Sequence, residues 1–203
     1  MKTTVMGLGI AGIVAVFSLS SAANRTFNVP TAAQFAAQNV FTIESETAIE
    51  NFIGRTNKIG GSIQFDPDAK TGSAIITVDG ASIDTGVPLR NEHMRSADWF
   101  NFDKNPEVKF VSTSIKHVSG DKYTVAGNLS LNGITKPVTA DATVRLTKAN
   151  DVTKNMGFGG DVVGVTARFK LNIRDYGAKH PAIGAGRVNE VLDATIRLVA
   201  SEK

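Results

Sequence analysis

The chain has 203 residues, 22 basic side chains against 19 acidic ones, and no cysteine. That length suits one domain with a sizeable core, and the lack of cysteine excludes disulfides, thiol catalysis and thiolate metal ligands. The formal charge of +3 is spread without any basic block, so nucleic-acid binding has no support.

Lys2 precedes an uncharged, mostly apolar run of 15 residues from Val5 to Leu19, and small residues follow to Ala23. A basic start, an apolar stretch and a small-residue site form the pattern of a secretory leader. The run is shorter than the roughly 20 residues needed to span a bilayer. Cleavage is expected after Ala23, with Ala22 as the alternative, and no later segment is apolar enough to cross a membrane. Residues 1–23 are thus read as a leader, 24–39 as an N-terminal arm and 40–203 as the folded domain. The arm is polar and alanine-rich, and its "TAAQFAAQN" fits either two helical turns or a loose segment.

Beyond the arm the hydrophobic period becomes two, the signature of half-buried strands. Phe41–Ser45, Ala48–Arg55, Gly61–Asp66 and Ser73–Asp79 read as short strands, with "DPDAKTG" as a turn between the last two. Pro88 suits the first position of a helix, and a short helix is expected from Pro88 to about Ala97, with Leu89, His93 and Ala97 near one face. Trp99, Phe100 and Phe102 follow it. They are either a hydrophobic plug or the lining of a pocket mouth. In Lys122–Leu131, Tyr123, Val125, Gly127, Leu129 and Leu131 share one face. Asn132-Gly133 then gives a strong hairpin signal, because both residues tolerate positive φ. The return strand sets Val138, Ala140, Ala142, Val144 and Leu146 on one face. Val163–Ile173 and Leu192–Leu198 repeat the alternation.

Eight or nine strands with short turns and a single apolar face imply an antiparallel sheet. A sheet this long folds onto itself as a sandwich or a closed barrel. An eight-stranded barrel is the size that side chains can fill or that holds one small ligand. The chemistry is sparse. The three histidines, His93, His117 and His180, are scattered and form no H-E-x-x-H. "DPDAKTG" lacks the later acidic ligands of a calcium loop. "IGAGRVN" lacks the third glycine and the context of a dinucleotide motif. No G-x-S-x-G occurs. No metal, cofactor or catalytic group is therefore assigned, and the chain is read as a non-enzyme.

"LRNEHMRSADWFNFDKNPEVKFVSTSI" at 89–115, followed by "GNLSLNGITKPVTADATV" at 127–144, resembles the YceI-like family. The resemblance spans about Phe41 to Val199. It implies an all-β, extended lipocalin-like antiparallel barrel of about eight strands with a short helix between strands. It further implies a periplasmic protein with a deep apolar cavity for a polyisoprenoid or an isoprenoid quinone. Where members often carry a His-Ser pair after the first strand, this chain reads "ESETAIENFIG", and the arm has no obvious counterpart.

The pocket wall is assigned to Ile43, Phe52, Phe65, Ile76, Val78, Phe110, Val125, Leu129, Val144, Val165, Phe169 and Ile196, with Trp99 and Phe100 at its mouth. For Phe52, Phe65 and Phe110 the alternation leaves the face open. Arg90, His93 and Arg95 are the candidates for meeting a polar head group; Arg90 and Arg95 could equally pair with Glu92 and Asp98. The expected partner is an apolar isoprenoid lipid or quinone, and a homodimer stays open as an assembly. The alternative functions are an interaction module that uses the barrel as a scaffold and, more distantly, an enzyme acting on an apolar substrate.

Overall fold

The computed structural model describes residues 24–35 and 37–202; the leader assigned to residues 1–23 lies outside them. Ten strands form one antiparallel sheet among the described residues: β1 (Arg25–Asn28), β2 (Val40–Ser45), β3 (Phe52–Thr56), β4 (Ile59–Asp66), β5 (Thr71–Asp79), β6 (Glu107–Ser119), β7 (Lys122–Leu131), β8 (Ile134–Thr147), β9 (Val162–Asn172) and β10 (Val191–Ser201). Helix α1 (Pro88–Arg95) lies between β5 and β6, and α2 (Asp151–Asn155) between β8 and β9.

The sheet order is β1-β4-β5-β6-β7-β8-β9-β10-β2-β3, and β1 also pairs with β10. That second pairing closes a circuit of eight strands, the barrel expected from sequence, and leaves β2–β3 as an attached hairpin. Strand β10 divides its free edge between two partners. Asp193–Arg197 pair with β2, and Ser201 pairs with Asn28 of β1.

Asn39 fills the gap where β10 changes partner. Only 1 % exposed, it accepts from the Val199 N–H at 2.9 Å and donates to the Pro30 carbonyl at 3.1 Å. Its own carbonyl accepts from the Asn57 side chain. Buried backbone groups outside a ladder need such partners, and Asn39 supplies one to each side of the joint.

Two strands lie outside the segments delimited from sequence. Strand β1 falls within the arm and is only four residues long; its Phe27 is fully buried. Among its described residues the rest of the arm holds one 3-10 turn, Ala33–Phe35, and Phe35 packs in a separate small cluster with Phe158 and Val162. Strand β6 escapes a period-two reading because its pairing with β7 slips between Ser112 and Ser114. The slip moves the inward face from Phe110 to Ile115, which changes parity, as a bulge does.

The segment from Ala48 to Asn51 is a turn and not strand. The Thr47 hydroxyl donates to the Glu50 carbonyl at 2.8 Å, and the Asn51 side chain accepts from the Thr47 N–H at 2.8 Å. These side chains offer the backbone partners that compete with a ladder. The Asn132-Gly133 turn is as expected, with φ of 52° and 73°.

Arg25 ties β1 to the far end of the barrel. It donates to Asp161 at 2.7 Å and to Glu202 at 2.8 Å. The Ala149 N–H, then Arg25 and Lys148, hold the Asp161 carboxyl well below the usual range. Arg25 chiefly does the same for Glu202.

Asn39→Ala leaves the Val199 N–H and the Pro30 carbonyl buried without partners. It is expected to cost about 2–4 kcal/mol, read as a lower denaturant midpoint at unchanged slope. Carboxyls with lowered folded values add stability above their unfolded values near 4 and lose it as pH falls through the folded ones. Arg25→Ala should therefore lower the melting temperature at pH 7. The deficit should shrink as pH drops below about 4, as a pH series of thermal unfolding will show.

Candidate ligand-binding site

The barrel encloses a cavity of about 130 Å³ whose lining residues are all apolar. Alternation along each strand builds it. Strand β7 supplies Val125 and Leu129, β8 supplies Ala140 and Val144, β9 supplies Val165 and Phe169, and β10 supplies Ile196. Ala142 and Ala167 face each other in register across β8 and β9, and their small side chains leave room where larger ones would fill the barrel. Gly127 serves a different end. The Phe110 ring lies over it, and a Cβ there would collide with that ring.

Three connections converge at one end of the barrel: the β2–β3 turn, the α1 segment and the long β9–β10 loop. Short bonds set their positions. Asn91 of α1 donates to Asp84 at 2.6 Å and accepts from the Thr85 N–H at 2.9 Å. The Asn91 donor is the main reason that the Asp84 carboxyl sits below its ordinary value. The N–H groups of Lys179 and His180 both donate to the Asp98 carbonyl, hanging the β9–β10 loop from the end of the helical segment. The Thr47 hydroxyl oxygen also lies 2.7 Å from the Gly186 carbonyl, which competes with the Glu50 carbonyl for its one proton. The buried anchor of α1 is Met94, at 4 % exposure. Leu89, which shares a helix face with His93, is 60 % exposed and lines the space that these connections enclose.

These connections enclose a second space of about 180 Å³, a vestibule with both polar and apolar walls. Ile43 and Phe100 line both spaces and so form the partition between them. Phe100 stacks on Phe102 at 5.3 Å. In the vestibule the Arg90 guanidinium lies 4.4 Å over the Phe52 ring and donates to Glu50 at 2.7 Å. Arg187 reaches the other oxygen of Glu50 at 3.3 Å. His180 stacks on Trp99 at 4.8 Å and lies 6.4 Å from His93.

Of the residues assigned from sequence, Ile43, Phe65, Ile76, Val78, Phe100, Phe110, Val125, Leu129, Val144, Val165, Phe169 and Ile196 line the barrel cavity. Phe52, assigned to the wall, lines the vestibule instead, and so does Trp99, assigned to the mouth. Phe52 opens β3 next to the turn, and Trp99 faces His180 rather than the barrel. Arg90 and His93 also line the vestibule. Arg95 lines neither space and lies 3.8 Å from Asp103. Neither arginine takes the partner weighed for it, since Asp98 pairs with Lys179. Sequence reading did not assign Glu50, His180 and Arg187 to the site. They come from separate loops, and no spacing rule connects them. Among the described residues no group of three His, Asp or Glu side chains is placed to hold a metal, and no helix is long and apolar enough to cross a membrane.

A UPF0312 protein of Photorhabdus laumondii is 33 % identical over 180 residues, covering 88 % of each chain. Another, from Serratia proteamaculans, is 38 % identical over 125 residues, and that match spans 61 % of this chain and 62 % of the relative. BcnA of Burkholderia cenocepacia shares the fold, with a TM-score of 0.69 at 24 % identity, over 82 % of this chain and 98 % of its own. So does a polyisoprenoid binding domain from Saccharophagus degradans, with a TM-score of 0.62 at 15 % identity, over 88 % of this chain and 99 % of its own. The family model of the YceI-like domain matches residues 28–200. That span runs from the last residue of β1 almost to the end of β10, which are the two strands that close the barrel, and the chain belongs to the YceI-like family.

Proposed function

We propose that the protein is an exported, periplasmic carrier or reservoir for an isoprenoid-type lipid or isoprenoid quinone. The tail lies in the barrel and the polar end in the vestibule, and no bond is made or broken. The observation that carries this reading is the wholly apolar lining of the barrel cavity, set against a vestibule that holds the charged groups. An apolar cavity of roughly 150 Å³ stays dry and accepts a benzene-sized guest, so the barrel space suits the end of a hydrocarbon chain. Each buried CH₂ contributes about 0.8 kcal/mol. The Saccharophagus degradans relative of the fold is described as polyisoprenoid binding, and the leader pattern of residues 1–23 supports export.

Organic extraction of protein purified from the periplasm, followed by mass spectrometry, should release an isoprenoid in near-stoichiometric amount. A folded barrel with nothing to extract would favour the scaffold reading. The double substitution Ala142→Leu with Ala167→Leu places two larger side chains in the cavity. Lipid retention should fall at least about tenfold, the loss of roughly two CH₂ contacts, while the melting temperature holds or rises. Undiminished retention would place the tail elsewhere.

A further inference from the structure

We propose that the junction of β1 with β10 is an expansion joint, which opens beneath the N-terminal segment to take an isoprenoid tail longer than the closed cavity. This rests on the reading of the barrel as the tail site, and it concerns the length of the tail rather than its polar end. The first ground is space. The closed cavity is about 130 Å³, and an apolar cavity of roughly 150 Å³ takes a benzene-sized guest. One isoprene unit fits that room, and a second can sit toward the vestibule. A chain of several units needs more, and the vestibule beyond Ile43 and Phe100 offers walls that are partly polar.

The second ground is the wall. A barrel widens only where a ladder parts, and a parted ladder leaves N–H and C=O groups without partners. Strands β9 and β10 are paired along all 11 residues of each, and β1 is paired with β4 along all 4 of its own. Between β1 and β10 the pair in register is Asn28 with Ser201 alone. Just before it, residues 198–200 of β10 face no strand on that edge among the described residues. Leu198 lines the cavity, so this stretch without a ladder is also cavity wall. Side chains supply the other fastenings: Asn39 to Val199 and Pro30, and Arg25 to Asp161 and Glu202. Of all the junctions in the circuit, this one gives up the least backbone pairing on opening.

The third ground is what lies outside the joint. Residues 24–35 form a strap there: β1, then Val29, whose N–H donates to the Gly61 carbonyl at 3.0 Å, then the turn that ends at Phe35. The Phe35 ring lies 4.9 Å from that of Phe158, and Val162 and Val199 complete a second apolar cluster. Successive side chains of a strand point to opposite faces. Leu198 and Val199 therefore place the cavity and this cluster on the two sides of one stretch of β10. A tail that parts the joint passes from one apolar lining to the other and not into water. The strap stays laddered to β4, and the gap opens on its β10 side.

The test is isothermal titration of the delipidated protein with geraniol, two isoprene units long, and with geranylgeraniol, four units long. The chain has no cysteine, so Asn28→Cys with Ser201→Cys supplies the only thiols, and partners in register across an antiparallel pair are close enough for a disulfide. Oxidation of this variant should weaken geranylgeraniol binding at least about tenfold and change geraniol binding less than about twofold. Reductant should restore the loss, which makes the same protein its own control for folding. In the wild type, geranylgeraniol should speed amide exchange across residues 25–35, and geraniol should not. Arg25→Ala needs no cross-link. By loosening the strap it should raise the ratio of long-chain to short-chain affinity at least about threefold. A lock that weakens both alcohols alike, or neither, overturns the expansion joint and leaves the carrier reading standing. So does unchanged exchange in the wild type, or an unchanged affinity ratio in Arg25→Ala. If neither alcohol binds the wild type, the carrier reading falls and this inference with it.

Discussion

The structure depends on how β10 shares its edge. A barrel has no free edges only if its last strand meets its first. Here the first strand in sequence is too short to cover β10 alone. Strand β1 takes the end of β10 at Ser201, and β2 takes Asp193–Arg197. Neither ladder satisfies the Val199 N–H between them, and the Asn39 side chain does. Arg25 then holds the short strand against Asp161 and Glu202. Closure thus rests on a few polar contacts at the seam, while the rest of the wall is continuous ladder.

The same arrangement separates two kinds of interior. Inside the closed circuit every residue that lines the cavity is apolar, because the ladders satisfy most of the backbone. Beyond the strand ends the backbone is irregular and must find partners. Side chains such as Asn91, Thr47 and Arg174 supply them, and Arg174 reaches the Ile183 carbonyl at 2.9 Å. Polar groups are therefore concentrated where the loops meet. An apolar cavity beside a vestibule with charged side chains in its wall is a direct result of where ladder ends and loop begins. Phe100 and Ile43 stand at that boundary.

The vestibule also shows how one carboxylate organises a site. Glu50 lies on the β2–β3 turn, Arg90 on α1 and Arg187 on the β9–β10 loop. Its two oxygens draw both arginines to one place and so pin three separate segments together. Its side chain is 28 % exposed and that of Arg90 is 24 % exposed, so water screens this pair only in part, unlike the outer ion pairs of the barrel surface.

The sequence by itself determined the strand faces and the hairpin at Asn132-Gly133, because side-chain alternation and turn chemistry are local properties. From them it also determined most of the cavity wall: Val125, Leu129, Val144, Val165, Phe169 and Ile196 all point inward as the period requires. Tertiary structure alone decided what no local rule contains. It made the four residues "RTFN" a closing strand, since their partners lie far along the chain in β4 and β10. It turned Phe52 from the barrel to the vestibule and gave Arg95 to Asp103. It brought Glu50, His180 and Arg187 together from loops with no shared spacing. Periodicity reports which face a residue occupies within its own element. Which loops meet is set by how the closed barrel places their ends.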